Sequence, residues 1–224
     1  MDVLYEDNHI IIVNKYSGEI VQGDKTGDEP LSEKVKKYIK EKYAKPGNVF
    51  LGVVHRLDRP VWGTVVFAKT SKALTRLNDM FRKGDVNKTY WAITQNCPKH
   101  EEGTLTNWIV RKEEQNKSYA YDKEVPNSKK AVLNYKVIAH SDRYNLIEVH
   151  LITGRHHQIR CQLSHIGCPI KGDLKYGARR SNPDGSISLM SRTVEFVHPV
   201  SGEHIKVDAP LPNDNLWKAF VKQG

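Results

Sequence analysis

The segment Val54-His55-Arg56-Leu57-Asp58-Arg59-Pro60-Val61-Trp62-Gly63 decides how the rest of the chain is read. An apolar run, Val49-Phe50-Leu51-Gly52-Val53-Val54, leads into it, and a second, Thr64-Val65-Val66-Phe67-Ala68, leads out. Both runs have the length and composition of buried strands, and Pro60 and Gly63 break the backbone between them. The turn so framed sets one carboxylate, Asp58, among cations, with His55 and Arg56 just before it. A surface turn whose Asp58 caps local amides has this composition. So has a functional loop held at two strand ends. These ten residues leave both readings open.

Working outward, 224 residues make one large domain or two small ones, with ample length to bury a substantial core. Lys and Arg number 35 against 26 Asp and Glu, and the resulting +9 makes the chain a candidate partner for polyanions, most often nucleic acid, unless the lysine excess serves only solubility. No run approaches the ~20 apolar residues that span a bilayer, so no membrane partner is expected. Met1-Asp2-Val3-Leu4-Tyr5-Glu6-Asp7 lacks the basic-then-apolar order of a secretory signal. Cys97, Cys161 and Cys168 are odd in number and show no framework spacing, which fits a reducing compartment. The expectation is a cytoplasmic protein, and a monomer, since no self-association stripe stands out.

Taken in order, Val3-Leu4-Tyr5 and His9-Ile10-Ile11-Ile12-Val13 read as two strands around a tight turn. A helix is expected from Asp28, with Asp28 as its cap, Pro30 in its first turn, and Leu31, Val35, Tyr38 and Ile39 as its buried stripe. A second helix should begin at a Ser71 cap, turn Leu74, Leu77 and Phe81 inward, and stop at Gly84. Strands are expected at 88–93, 104–110, 131–139 and 144–152, with a charged loop over 111–129 that could be mobile or meet a partner. A helix led by Arg155 carries Ile159, Leu163 and Ile166 on one side and ends at Gly167. Strands at 188–196 and 204–208 and a short helix from Asp214 complete the chain. Strands outnumber helices without βαβ alternation, which indicates an α+β fold with a mixed, largely antiparallel sheet core and flanking helices.

Several chemistries can be set aside. His156, Cys161, His165 and Cys168 crowd together, but no CxxC or HExxH spacing supports a metal. His55-Arg56-Leu57-Asp58 has the outline of a kinase catalytic loop, yet the Gly-rich loop, strand lysine and Asp-Phe-Gly are missing. No Gly-x-Ser-x-Gly turn supports a serine hydrolase. What remains is a single carboxylate in a basic turn, plus a second Arg-rich turn at 155.

These remaining blocks carry a resemblance. His55-Arg56-Leu57-Asp58 with Gly63, Lys88-Thr89-Tyr90, and Thr153-Gly154-Arg155-His156-His157-Gln158-Ile159-Arg160 together resemble the RluA-type RNA pseudouridine synthases. So do Gly167, Pro169-Ile170, Gly172-Asp173 and Tyr176-Gly177, the ending Phe196-Val197-His198-Pro199, and the opening Leu4 to His9 with Val13-Asn14-Lys15. The blocks occur in the family's order over nearly the whole chain. Two departures stand out. The family usually has Thr-Ser-Gly after the Asp loop where this chain has Val61-Trp62-Gly63, and Pro where it has Tyr16.

The resemblance implies the pseudouridine synthase catalytic fold over 1–224 as a single domain, without a separate N-terminal RNA-binding module. It implies isomerisation of a uridine in RNA, ribosomal or transfer, with no cofactor and no metal, because the reaction is an internal rearrangement. Asp58 would be the catalytic carboxylate, as nucleophile or as base, with Arg155 as its ion-pair partner; a guanidinium fork suits a carboxylate better than an ammonium does. Tyr90 would stack on the extruded uracil. Arg56, with His55, His157, Gln158 and Arg160, would contact RNA or assist base flipping. The alternative is a non-catalytic RNA-binding relative whose pocket Val61 and Trp62 have altered.

Overall fold

A computed structural model describes residues 1–221. Its elements in chain order are β1 (Asp2–Glu6), β2 (Ile10–Lys15), α1 (Leu31–Lys42), β3 (Gly52–Val53), β4 (Trp62–Ala68), α2 (Ser71–Lys83), β5 (Asn87–Thr94) and β6 (Glu102–Lys112). There follow β7 (Lys117–Tyr121), β8 (Lys129–His140), β9 (Asn145–Leu151), α3 (Gln158–His165), a 3-10 turn at Leu174–Tyr176, β10 (Leu189–Val197), β11 (His204–Asp208) and α4 (Asn215–Val221). The fold is α+β, as the pattern of elements indicated. No helix among the described residues is long and apolar enough to cross a membrane.

The chain divides into two compact units. The first is Met1–Asn87 with Ser191–Pro210. In it β2 pairs antiparallel with β1 and with β4, β3 pairs with β4, and β11 pairs with β10. Ile10, Ile12, Val66 and Ala68 turn one face of this sheet toward Ala73 and Leu77 of α2, with Val194, Phe196, Ile205 and Val207 closing the core. Alternate residues of a strand share a face, so one apolar face per strand builds this layer.

Three local expectations need correction here. The first apolar run yields only the two-residue β3, and Phe50 is 48% exposed, because only Gly52 and Val53 find partners on β4. Helix α1 starts at Leu31 with Pro30 at its cap position and no capping side chain, since Asp28 is engaged with Arg59 instead. Thr70 caps α2, not Ser71: its side chain accepts from the Ala73 amide, and Gly84 ends the helix in the left-handed region.

The second unit is Lys88–Met190 with the tail from Leu211. Its strands run in the order β5-β9-β8-β6-β7, and all four pairings are antiparallel. Ala131, Leu133, Tyr135 and Val137 of β8 form one buried face together with Ile109, Ile147 and Val149. The charged stretch 111–129 is not a loop throughout: Lys117–Tyr121 folds back on β6 as β7, with Arg111 opposite Ser118 and Lys112 opposite Lys117. Its alternation of Ser118 and Ala120 inward with tyrosines outward is a strand pattern masked by charge.

Candidate active site

The first unit carries the Asp58 loop. Gly52 enters it under Leu74, where a Cβ would come within 2.6 Å of Leu74 Cδ1. Gly63 leaves it with φ of 119°, where a Cβ would sit 2.1 Å from the Ser191 carbonyl oxygen, so no other residue fits. Between them the loop is tied down by side chains. Val66 N donates to His55 Nε2 at 2.9 Å, and the His55 ring stacks on Phe81 at 4.7 Å. Val61 N closes a turn onto Asp58 O at 3.0 Å. Arg59 leaves the loop to bind Asp28 at 2.7 Å and Thr26 at 3.0 Å. Arg56 is exposed.

Beneath the loop lies Lys15, fully buried at the end of β2. Its ammonium donates to the carbonyls of Tyr16 and Arg59 at 3.0 Å each and of Val61 at 2.8 Å. Two of these carbonyls bracket Asp58 on its C-terminal side, so Lys15 fixes the path of the backbone that presents the carboxylate. Burial pushes the Lys15 ammonium down to about 7, against the opposing pull of Glu19 and Asp58. Sequence reading missed Lys15 as a site residue. The signal was a lone cation closing the apolar run Ile10 to Val13, where a lysine belongs only if its charge is satisfied.

The two departures from the family pattern meet each other. The rings of Tyr16 and Trp62 pack edge-to-face with centroids 5.4 Å apart and planes at 86°. Val61 beside them is 2% exposed, and Thr64 anchors the start of β4 to Ser191 Oγ at 2.8 Å.

The second unit carries Tyr90 and the arginine turn. Tyr90 is 7% exposed on β5, opposite Val149 of β9. Lys88, two residues earlier, reaches toward the turn: a Cβ on Gly154 would lie 3.7 Å from its Nζ. Burial holds the Lys88 amine below the ordinary lysine range. Gln158 builds the turn itself. Its Oε1 accepts from Arg155 N at 2.9 Å and Thr153 Oγ1 at 2.8 Å, and its Nε2 donates to Val132 O at 3.1 Å. His157 takes the left-handed conformation at φ 52°, which delays the start of α3 to Gln158. Arg155 is exposed and donates through Nε to Lys130 O at 2.9 Å.

Arg160 lies inside the unit, 5% exposed. Its Nε and Nη2 bind Asp173 Oδ2 and Oδ1 at 2.7 and 2.9 Å. The Tyr176 hydroxyl accepts from Ser118 N and meets His157 Nδ1, both at 2.8 Å, and burial holds its phenol protonated far above neutrality. Thus Gly172-Asp173 and Tyr176, legible only as pattern, lock the helix that begins at the arginine turn. His157, Gln158 and Arg160 are all buried and bonded to protein groups. The cysteines and histidines weighed for metal are scattered among other partners: Cys161 Sγ donates to Ser118 O, and His165 pairs with Asp122 at 2.7 Å. Among the described residues no group of three or more His, Cys, Asp or Glu could hold a metal ion.

The family model described as RNA pseudouridylate synthase matches residues 9–165. The chain is 33% identical over 98% of its length to YhcT of Bacillus subtilis, described as an uncharacterized RNA pseudouridine synthase, and covers 72% of that protein. It is 33% identical over 97% of its length to ribosomal large subunit pseudouridine synthase D of Pseudomonas aeruginosa, covering 70% of it. In fold it matches human RNA pseudouridylate synthase domain containing 4, with a TM-score of 0.80 at 24% identity, over 96% of this chain and 90% of the other. The chain belongs to the RNA pseudouridylate synthase family, of the RluA type.

Proposed function

We propose that this pseudouridine synthase acts on specific uridines of structured RNA, ribosomal or transfer, with Asp58 as the catalytic carboxylate and residues 1–224 working as one catalytic domain. The observation that carries the reading is the Asp58 loop, whose backbone is held rigid by Lys15, His55 and Gly63. In the reaction C1′–N1 of the uridine breaks, the uracil turns, C1′–C5 forms, N1 gains a proton and C5 loses one. Asp58 acts on the sugar as nucleophile or base while Tyr90 stacks on the extruded uracil. Stacking of ~1–3 kcal/mol offsets much of the cost of flipping. Arg56, exposed two residues before Asp58, fills the vacated stack or grips a phosphate. The bonding of His55, His157 and Gln158 suits them to holding the two turns.

The counter-charge for Asp58 is assigned to Arg155. A second reading, Arg160, is favoured by one observation: its guanidinium is buried and held in place by Asp173, whereas that of Arg155 is exposed. Tritium release from RNA labelled at uridine C5 tests both. A large-subunit ribosomal RNA transcript is the first substrate to try, given the name of one relative. Wild-type release establishes the activity. No release from ribosomal or transfer RNA, with binding intact, would make the chain a non-catalytic RNA-binding relative. Loss of kcat in Arg155→Gln with the fold intact supports Arg155; retention there with loss in Arg160→Lys transfers the role to Arg160.

A further inference from the structure

The outer face of the second unit's sheet carries an arrangement that the reaction does not use. Register places Trp108 of β6 directly between Tyr121 of β7 and Lys130 of β8, so the three side chains form a row on one face. In the next rows Val110 faces Tyr119, and Lys112 faces Lys117. The opposite face of these strands holds the buried Asn107, Ile109, Ser118 and Ala131. Tyr121 is 39% exposed, and Lys112 and Lys117 lie over the Tyr119 ring at 5.2 Å each. Among the described residues none of Lys112, Lys117 and Lys130 pairs with a carboxylate. Cross-strand stabilisation accounts for two aromatics side by side. It does not account for three lysines without acidic partners around them, in a protein whose net charge is already +9.

We infer that this face is a docking platform for a single-stranded or looped RNA segment flanking the reacting uridine, an inference that rests on the function proposed above. The Trp108 and Tyr121 rings take unstacked bases, and lysines without acidic partners take the intervening phosphates. The platform adjoins the arginine turn, because Arg155 Nε is anchored on the Lys130 carbonyl. Tyr90 shares the inner face with Val149 and Tyr135, on the other side of the sheet. The platform therefore governs affinity and not the chemical step.

The test uses full-length protein carrying Asp58→Asn, so that bound RNA is not consumed, and two fluorescent probes, an RNA hairpin with a uridine-rich loop and a blunt RNA duplex. Tyr121→Leu should weaken hairpin binding roughly tenfold, the scale of one lost base stack, and leave duplex binding unchanged. Lys112→Gln, Lys117→Gln and Lys130→Gln together should lower the slope of log K against log salt by about two, since each phosphate contact on a single strand contributes ~0.7. In the Asp58 background, Tyr121→Leu should leave single-turnover rate at saturating RNA as it is in wild type. Unchanged hairpin affinity and salt slope in both variants would overturn the platform while leaving the proposed activity standing. Equal losses for hairpin and duplex would also overturn it, as would protection of these lysines by an acidic protein and not by RNA. Absence of turnover in wild-type protein would instead remove the parent reading, and the binding arm judges the platform without it.

Discussion

Replacing Lys15 by methionine tests how the Asp58 loop is held. Methionine keeps the aliphatic stem in its buried slot and removes the ammonium that donates to Tyr16 O, Arg59 O and Val61 O. Tyr16 O still receives Glu19 N at 3.3 Å, and Arg59 O still receives Gly18 N at 2.9 Å. The Val61 carbonyl loses a 2.8 Å donor in a buried setting, which costs ~1–3 kcal/mol on its own, and the two weakened carbonyls add a fraction more. Relief from desolvating a charge opposes this, and that part depends on pH. The folded value of Lys15 is about 7 and the ordinary lysine value is 10.5, so between them the unfolded chain holds one proton more than the folded chain. Stability of wild type relative to Lys15→Met then rises with pH by up to about 1.4 kcal/mol per pH unit. This contribution is complete above 10.5 and disappears as pH falls through about 7. Urea unfolding of both proteins at several pH values from 6 to 9 reads it directly. A difference that stays flat over that range, or shrinks as pH rises, would refute the assignment of a depressed, loop-bound ammonium.

Other outcomes follow from the same contacts. Asp173→Asn leaves the buried Arg160 guanidinium without its carboxylate and should destabilise the protein by ~3–5 kcal/mol, lowering Tm by roughly 10 °C; a shift of a degree or two in a thermal melt would show the pair to be dispensable. Substituting Tyr16 and Trp62 by leucine, singly and together, should reveal a coupling of ~0.5–1.5 kcal/mol in a double-mutant cycle; additive effects would mean that the two departures from the family pattern do not compensate one another.

Much of this was legible in the residues themselves. Period-two alternation located β8 and β9 closely, and Gly84 and Gly167 marked helix ends because both need the left-handed backbone. The Asp58 loop and the arginine turn were recognisable because their cations and glycines occur at fixed offsets. What escaped depended on partners distant in sequence. Lys15 reads as an ordinary strand-end lysine until Arg59 and Val61, more than forty residues on, supply the carbonyls that bury it. Arg160 reads as an RNA contact until Asp173 claims it. Asp28 has the right type to cap α1, but Arg59 offers it an ion pair at 2.7 Å. Strand β7 was hidden because charge suggested a loop, although its tyrosines face outward while Ser118 lies buried.

The central claim is that the carboxylate of Asp58 makes and breaks the glycosidic bond, and Asp58→Asn addresses it with almost no change of shape. The decisive measurement is tritium release from a C5-labelled RNA substrate by wild-type protein and Asp58→Asn, at concentrations where both bind the RNA fully. The account predicts release by wild type and none by the variant, with equal RNA affinity. Release by Asp58→Asn at a rate comparable to wild type would contradict it.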